Sequence, residues 1–180
     1  MSEVPEARMV GTEDGVSPEG DGWFVVNARE AVWEENPVMG AGTGFEAATN
    51  QFPDFGINIV VLDPGQPNSM YHGENEQEDF LVLAGECLLL VEGEERPLRQ
   101  WDFVHCPAWT EHVFVGAGDG PCAILMVGGR RNKGVLYPVV DVARKHGAGV
   151  ETETRDAKEA YAPFPAWTNR RYREGDLPGN

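Results

Sequence analysis

His72-Gly73-Glu74-Asn75-Glu76-Gln77-Glu78 and, further along, Pro107-Ala108-Trp109-Thr110-Glu111-His112 bracket the part of the chain that decides the fold. Between and beyond them lie short apolar runs: Phe80 to Leu83, Cys87 to Val91, Arg96 to Leu98, Asp102 to Cys106, Glu111 to Val115 and Ala123 to Val127. Each run has strand length and is bounded by turn residues. Ala84-Gly85-Glu86 reads as a hairpin turn, Gly93-Glu94-Glu95 as the next turn, and Gly116 to Pro121 as a third. Pro107 stops the strand before it. The first two runs are apolar on both faces, so both faces are expected to be covered. Strands this short, with turns this frequent and no α/β alternation, predict an all-β closed sandwich or jelly roll.

Parity carries the argument from strands to chemistry. Side chains an even number of residues apart share a face of a strand. His72 and Glu74 therefore point the same way, and Glu78, Phe80 and Val82 continue that parity; Glu76 does so as well. Carboxylates enclosed in an apolar barrel repel each other and resist ionisation. A dication resolves that conflict, because it requires deprotonated oxygens and neutral imidazoles. His72, Glu74, Glu78 and His112 are the candidate metal ligands.

These residues resemble the two motifs of the cupin family. The first is a His-x-His pair followed by Glu and then Gly; the second is Gly, five residues, then Pro-x-Gly-x-x-His. His72 matches the first His, Glu78 the acidic ligand, Gly85 the closing glycine, Pro107 the proline and His112 the last His. This spacing favours Glu78 over Glu76. Glu74 stands where the second His is usual, Trp101 and Trp109 replace two glycines, and one extra residue separates Gly65 from His72. The resemblance covers roughly residues 56 to 130. It implies a double-stranded β-helix and one divalent ion per chain, with Zn, Mn, Fe or Ni all compatible with a donor set of two histidines and two glutamates. Dioxygenase, isomerase, epimerase and decarboxylase chemistries are what it implies for activity.

The rest of the chain is read around that centre. At 180 residues and 41% hydrophobic, it suits one compact domain. A net charge of −16 argues against nucleic-acid and anionic-membrane partners, which select basic surfaces. Cys87, Cys106 and Cys122 leave an odd thiol without metal-finger spacing, and Met1 is followed by no apolar run, so a cytoplasmic setting is expected. Residues 1–21, rich in Glu, Gly and Pro, read as a loose acidic arm. Residues 22–130 read as the barrel. Within them Trp23 to Val26 begins order, Ala28 to Glu35 is a short helix or turn before a Gly-rich Met39 to Gly44, Phe45 to Ala48 a strand, and Gly56 to Leu62 a strand ended by Asp63-Pro64-Gly65. Ile57, Ile59 and Val61 share one of its faces.

Residues 131–180 change character. Pro138 to His146 reads as a helix with Gly147 beyond its end, and Asp156 to Tyr161 as a second, capped by Thr154 and stopped by Pro163. The tail sets Phe164, Trp167 and Tyr172 beside Arg170, Arg171 and Arg173, a composition that clasps its own barrel or the partner in a homodimer.

Further candidates are weaker. His105 faces either the cavity or the outer layer, with a structural role favoured. Cys106 reads as a small buried hydrophobe. Tyr71, Trp101 and Trp109 line a ligand mouth or belong to the core; Asn58 and Glu111 are lesser choices. Two function classes follow: a metalloenzyme acting on a small oxygenated organic molecule, or a non-catalytic small-molecule binding, storage or sensor module whose metal is structural or anchors the ligand.

Overall fold

Alternation of inward and outward side chains from Phe55 to Gly129 sets the architecture. The computed structural model describes residues 3–47 and 51–177. In chain order the strands are β1 (Arg8–Gly11), β2 (Val16–Glu19), β3 (Trp33–Asn36), β4 (Gly40–Gly44), β5 (Phe55–Leu62), β6 (Gly73–Glu74) and β7 (Glu78–Ala84). There follow β8 (Glu86–Val91), β9 (Glu94–Arg99), β10 (Phe103–Cys106), β11 (His112–Ala117), β12 (Cys122–Gly129) and β13 (Val135–Leu136). Helices α1 (Asp141–Lys145) and α2 (Ala157–Tyr161) precede the last strand, β14 (Thr168–Arg170). The fold is all-β with two short helices, a double-stranded β-helix. Among the described residues no helix is long and apolar enough to cross a membrane.

One sheet has seven strands in the order β10-β7-β12-β5-β4-β3-β14, and a three-stranded sheet β11-β8-β9 accompanies it. Val60 and Leu62 of β5, Phe80 and Val82 of β7, Cys87 and Leu89 of β8, Phe114 of β11 and Ile124 of β12 form one buried cluster. Their even spacing along each strand is what period-two alternation requires. The opposite face of the small sheet packs Leu90, Val113 and Val115 against Ala143 of α1, Ala148 and Tyr71. Both faces of the central strands are thus covered, as their apolar composition demands.

Gly85 does not make a hairpin. β7 pairs with β10 and β12, whereas β8 pairs with β9 and β11. Ala84-Gly85-Glu86 is therefore the corner where the chain crosses between sheets. Gly85 has φ +73, and a Cβ there would lie 2.6 Å from the Pro121 carbonyl oxygen, so only glycine fits. The tight hairpin is the next connection, β8 to β9, where Val91 pairs with Glu94. Its two central residues, Glu92 and Gly93, both have positive φ, the type I′ pattern that matches strand twist.

Local expectations outside the barrel centre shift more. Residues 8–19, read as part of a loose arm, form the β1–β2 hairpin, with Val10 opposite Ser17. Backbone pairing supplies the order that apolar burial could not: Val16 N–H donates to Glu30 O at 2.8 Å. Of the helix or turn expected over Ala28 to Glu35, a single turn forms and is followed by β3. Asn27 O accepts from Glu30 and Ala31 N–H, and Trp33, fully buried, then pairs across to Thr43 and Arg170. Burial of the indole outweighs the weak helical propensity of that segment. The Gly-rich segment is strand β4, and the strand expected at Phe45 to Ala48 has already ended at Gly44; Ala48 lies outside the described residues.

The C-terminal helices occur where expected but are shorter. α2 is capped by Asp156, whose side chain accepts from Lys158 N–H at 2.8 Å, while Thr154 Oγ1 serves Asp156 N–H one step earlier. The tail clasps its own barrel. β14 pairs with β3, Tyr172 and Leu177 pack with Trp33, and Arg170 holds Asp176 through both terminal nitrogens at 2.6 and 2.9 Å.

Candidate metal centre

A backbone bridge brings the two distant histidines together. His72 N–H donates to His112 O at 3.1 Å and His112 N–H to His72 O at 2.8 Å. A reciprocal pair of this kind holds facing side chains on one side of the sheet, and the imidazole centroids lie 5.3 Å apart. Each ring is then oriented by its own strand. His72 Nδ1 lies 2.7 Å from Met70 O, and His112 Nδ1 lies 3.0 Å from Thr110 O. A carbonyl only accepts, so each Nδ1 carries the proton and each Nε2 presents its lone pair to the cavity.

Glu78, the first residue of β7, points at the same place. His112 Nε2 is 3.5 Å from Glu78 Oε2, and His72, Glu78 and His112 each offer one donor atom within 4.8 Å of the others. Glu74 borders this trio without joining it: its Oε1 is 3.6 Å from His72 Nε2, and its side chain is more open, at 40% exposed. Two imidazoles and a carboxylate converging in this way can hold a divalent ion, with Glu74 alongside.

The electrostatics of the four groups are those of a site arranged for a cation. Burial drives His112 down to about 4, helped by His72 nearby, so its imidazole is neutral. Burial also pushes the Glu78 carboxyl up to about 7, with Glu74 adding to it and His72 opposing. The 3.5 Å contact between Glu78 and His112 is accordingly not an ion pair. His72 is held above the ordinary imidazole range: burial opposes its charge, but Glu74, Glu78 and the Met70 carbonyl together outweigh it. Glu74 is lowered, chiefly by the His72 imidazole 3.6 Å away. Burial favours a proton on Glu78, which a bound cation must displace.

A cavity of about 910 Å³ opens from these residues, lined by Asn58, Asn68, Ser69, Phe80, Met126, Tyr137 and Tyr161 among others. Tyr137 stands beside His72, ring centroids 5.8 Å apart, and edge-on to Tyr161 at 6.0 Å. Tyr161 in turn accepts from Met70 N–H at 3.2 Å. The tyrosines come from β13's end and from α2, segments with no chemical motif, so sequence reasoning missed them.

The other candidates fall elsewhere. Glu76 turns away and accepts from Asn132 N–H. His105 faces outward, half-exposed, with Nδ1 2.7 Å from Asp79 Oδ1. Cys106 is buried in the barrel interior, its thiol pushed up to about 11 by burial and then by Glu78. Tyr71 is core, its hydroxyl accepting from Gly93 N–H at 3.0 Å and its phenol pushed up to about 12 by burial. Glu111 and the exposed Trp101 and Trp109 do not line the cavity. Both tryptophans have positive φ, 75° and 69°, which explains why glycine is usual at their positions in the motif.

Comparison with known proteins places these features. The family profile for the cupin domain matches residues 58–128. No curated protein matches the chain. Among solved structures, a sugar phosphate isomerase from a cupin superfamily of Silicibacter pomeroyi is 24% identical over 72% of this chain and 79% of its own, with a TM-score of 0.46. A Cupin 2 conserved barrel domain protein from Salinispora arenicola is 25% identical, covering 50% of this chain and 75% of its own, with a TM-score of 0.43. The polyketide cyclase RemF from Streptomyces resistomycificus is 13% identical over 69% of this chain and 79% of its own, with a TM-score of 0.46.

Proposed function

With residues 58–128 a cupin domain, we propose that the protein is a metalloenzyme acting on a small oxygenated organic substrate in dioxygenase or isomerase fashion. In this reading one divalent ion is held by His72, Glu78 and His112, with Glu74 beside it. The observation that carries it is the paired Nδ1 lock: each histidine sets Nδ1 against a backbone carbonyl, His112 Nε2 lies 3.5 Å from Glu78 Oε2, and His72, Glu78 and His112 each offer one donor atom within 4.8 Å of the others. Two imidazoles with one carboxylate are a donor set that leaves positions open and suits non-haem iron, with Mn, Zn and Ni also accommodated. Such an ion, when bound, polarises substrate oxygens as a Lewis acid. Glu74, ionised and more open to solvent, is the group that takes a proton from the substrate.

A binding or sensor protein without turnover is the second reading, favoured by the cavity's phenols. Burial raises both Tyr137 and Tyr161, so neither serves as a base at neutral pH and both stay protonated as hydrogen-bonding groups for a bound ligand. Elemental analysis of protein purified without added metal, followed by an oxygen-uptake and isomerisation screen, tests both. Stoichiometric metal with turnover supports the enzyme, and stoichiometric metal without turnover the sensor. Undiminished metal in His72→Ala, Glu78→Ala and His112→Ala alike would overturn both.

A further inference from the structure

The cavity lining carries a charge arrangement that bears on the ligand. Beyond the four residues at the metal centre, its charged side chains are Asp14, Glu34, Glu46 and Arg130. Arg130 is thus the one arginine or lysine among the described lining residues. In sequence, Ala48, Thr49 and Asn50, which follow Ala47, bear no charged side chain.

Arg130 is already committed. Its Nη1 donates to Glu46 Oε2 at 2.8 Å and to Phe52 O at 3.2 Å, while Nη2 donates to Glu46 Oε1. The two-point geometry is the strong form of a guanidinium–carboxylate contact. Glu46 is held from a second side by Phe52 N–H, and its side chain is only 13% exposed. Gly56 on β5 provides the bed for the guanidinium: a Cβ at that position would come within 2.5 Å of Arg130 Nη2. Any larger residue there would require the guanidinium to shift.

We infer that this cavity selects oxygenated ligands that carry no fixed anionic group and discriminates against phosphorylated or carboxylated counterparts, because its one lining guanidinium is locked onto Glu46. The inference rests on the metal reading above and deepens it. Glu74 and Glu78 offset the charge of a bound dication, and Glu46 offsets Arg130. Asp14 and Glu34 then leave the lining net negative, within a chain of net charge −16. An anionic ligand meets that field in a partly walled space, where it is screened less than in open water. A counterpart without that fixed charge meets less of this penalty, and Asn58 and Ser69 stand in the lining beside its remaining oxygens.

Calorimetry on the full chain loaded with one equivalent of Mn(II) tests this with a matched pair, catechol and 3,4-dihydroxybenzoate, each referred to its affinity for free aqueous Mn(II). Catechol is expected to bind about tenfold tighter than the carboxylate, with the gap closing as salt is raised. In Glu46→Gln, whose folding is checked by thermal melting, the freed guanidinium raises the affinity for 3,4-dihydroxybenzoate about tenfold and leaves that for catechol unchanged. Equal or tighter binding of the carboxylate by the unmodified chain, a gap insensitive to salt, or binding of neither probe by Mn(II)-loaded protein overturns the inference while the metal centre stands. A chain that takes up no Mn(II), Fe(II), Zn(II) or Ni(II) overturns the metal reading itself.

Discussion

Glu78 Oε2 and His112 Nε2 face each other at 3.5 Å with neither group charged across a range of pH. Burial holds the carboxyl protonated up to about 7 and the imidazole neutral down to about 4. Two neutral groups of a potential ion pair, enclosed together, form a site that a dication completes by displacing a proton.

Metal affinity therefore depends on pH. Below about pH 7 an incoming ion competes with the Glu78 proton, and with that on His72, which is held above the ordinary range. Calorimetry in buffers of different ionisation enthalpy should show about one to two protons released per ion, with affinity falling by about ten- to a hundredfold per pH unit on the acid side. Affinity unchanged between weakly acidic and weakly basic buffer would contradict the assignment.

The same shift fixes the sign of a stability effect. The Glu78 carboxyl is raised in the folded chain from 4.5 to about 7, so its contribution to stability is full below the lower value and is lost as pH rises through the upper one. In chelator above about pH 7, Glu78→Gln should be more stable than the unmodified chain, by about 3 kcal/mol at most. Added metal should reverse that order. Urea denaturation with and without chelator measures both.

Glu74 and the trio should separate by metal content. His72→Ala, Glu78→Ala and His112→Ala are expected to lose stoichiometric metal, whereas Glu74→Gln keeps it and loses turnover by about 10²-fold or more. Glu74→His should move preference toward softer ions. Loss of metal in Glu74→Gln as complete as in His112→Ala would make Glu74 an obligatory ligand instead.

Trp101 and Trp109 sit in the same strained backbone region but differ in surroundings. Trp101 is 66% exposed, whereas Trp109 lies against Arg155, 5.6 Å from its ring, and over Gly134. Relief of positive φ outweighs the extra freedom glycine gives the unfolded chain, so Trp101→Gly should stabilise by about 0.5–1 kcal/mol. Trp109→Gly gains the same relief and forfeits its packing, with no net gain. Destabilisation by Trp101→Gly would show that the indole is buried against something in solution.

Arg170 ties the tail to the barrel. Its guanidinium holds Asp176, lies over the Trp33 ring at 5.5 Å, and reaches Glu35 at 2.8 Å without hydrogen-bond alignment. Arg170→Ala leaves Asp176 enclosed without its partner and should cost about 3–5 kcal/mol. Susceptibility of the tail to limited proteolysis should rise in step.

The barrel strands were legible because burial on one face writes a period of two into the chain, and Val60, Leu62, Phe80, Val82 and Ile124 keep it. Where order came from backbone pairing, as in the β1–β2 hairpin, composition carried no trace of it. Gly85 illustrates a finer limit. Its neighbourhood spells a tight turn, but whether the next strand returns beside its predecessor or crosses to the other sheet depends on partners distant in sequence.

The residue types and spacing at positions 72, 74, 78 and 112 were fixed by the sequence alone, and parity along β7 follows from the pleat of that strand. Motif spacing favoured Glu78 over Glu76, but tertiary structure alone decided that Tyr137 and Tyr161 wall the cavity and that Glu46 locks Arg130. Those outcomes depend on the crossing of chain segments far apart in sequence, and pairing across such distances is set by the packing of the whole barrel.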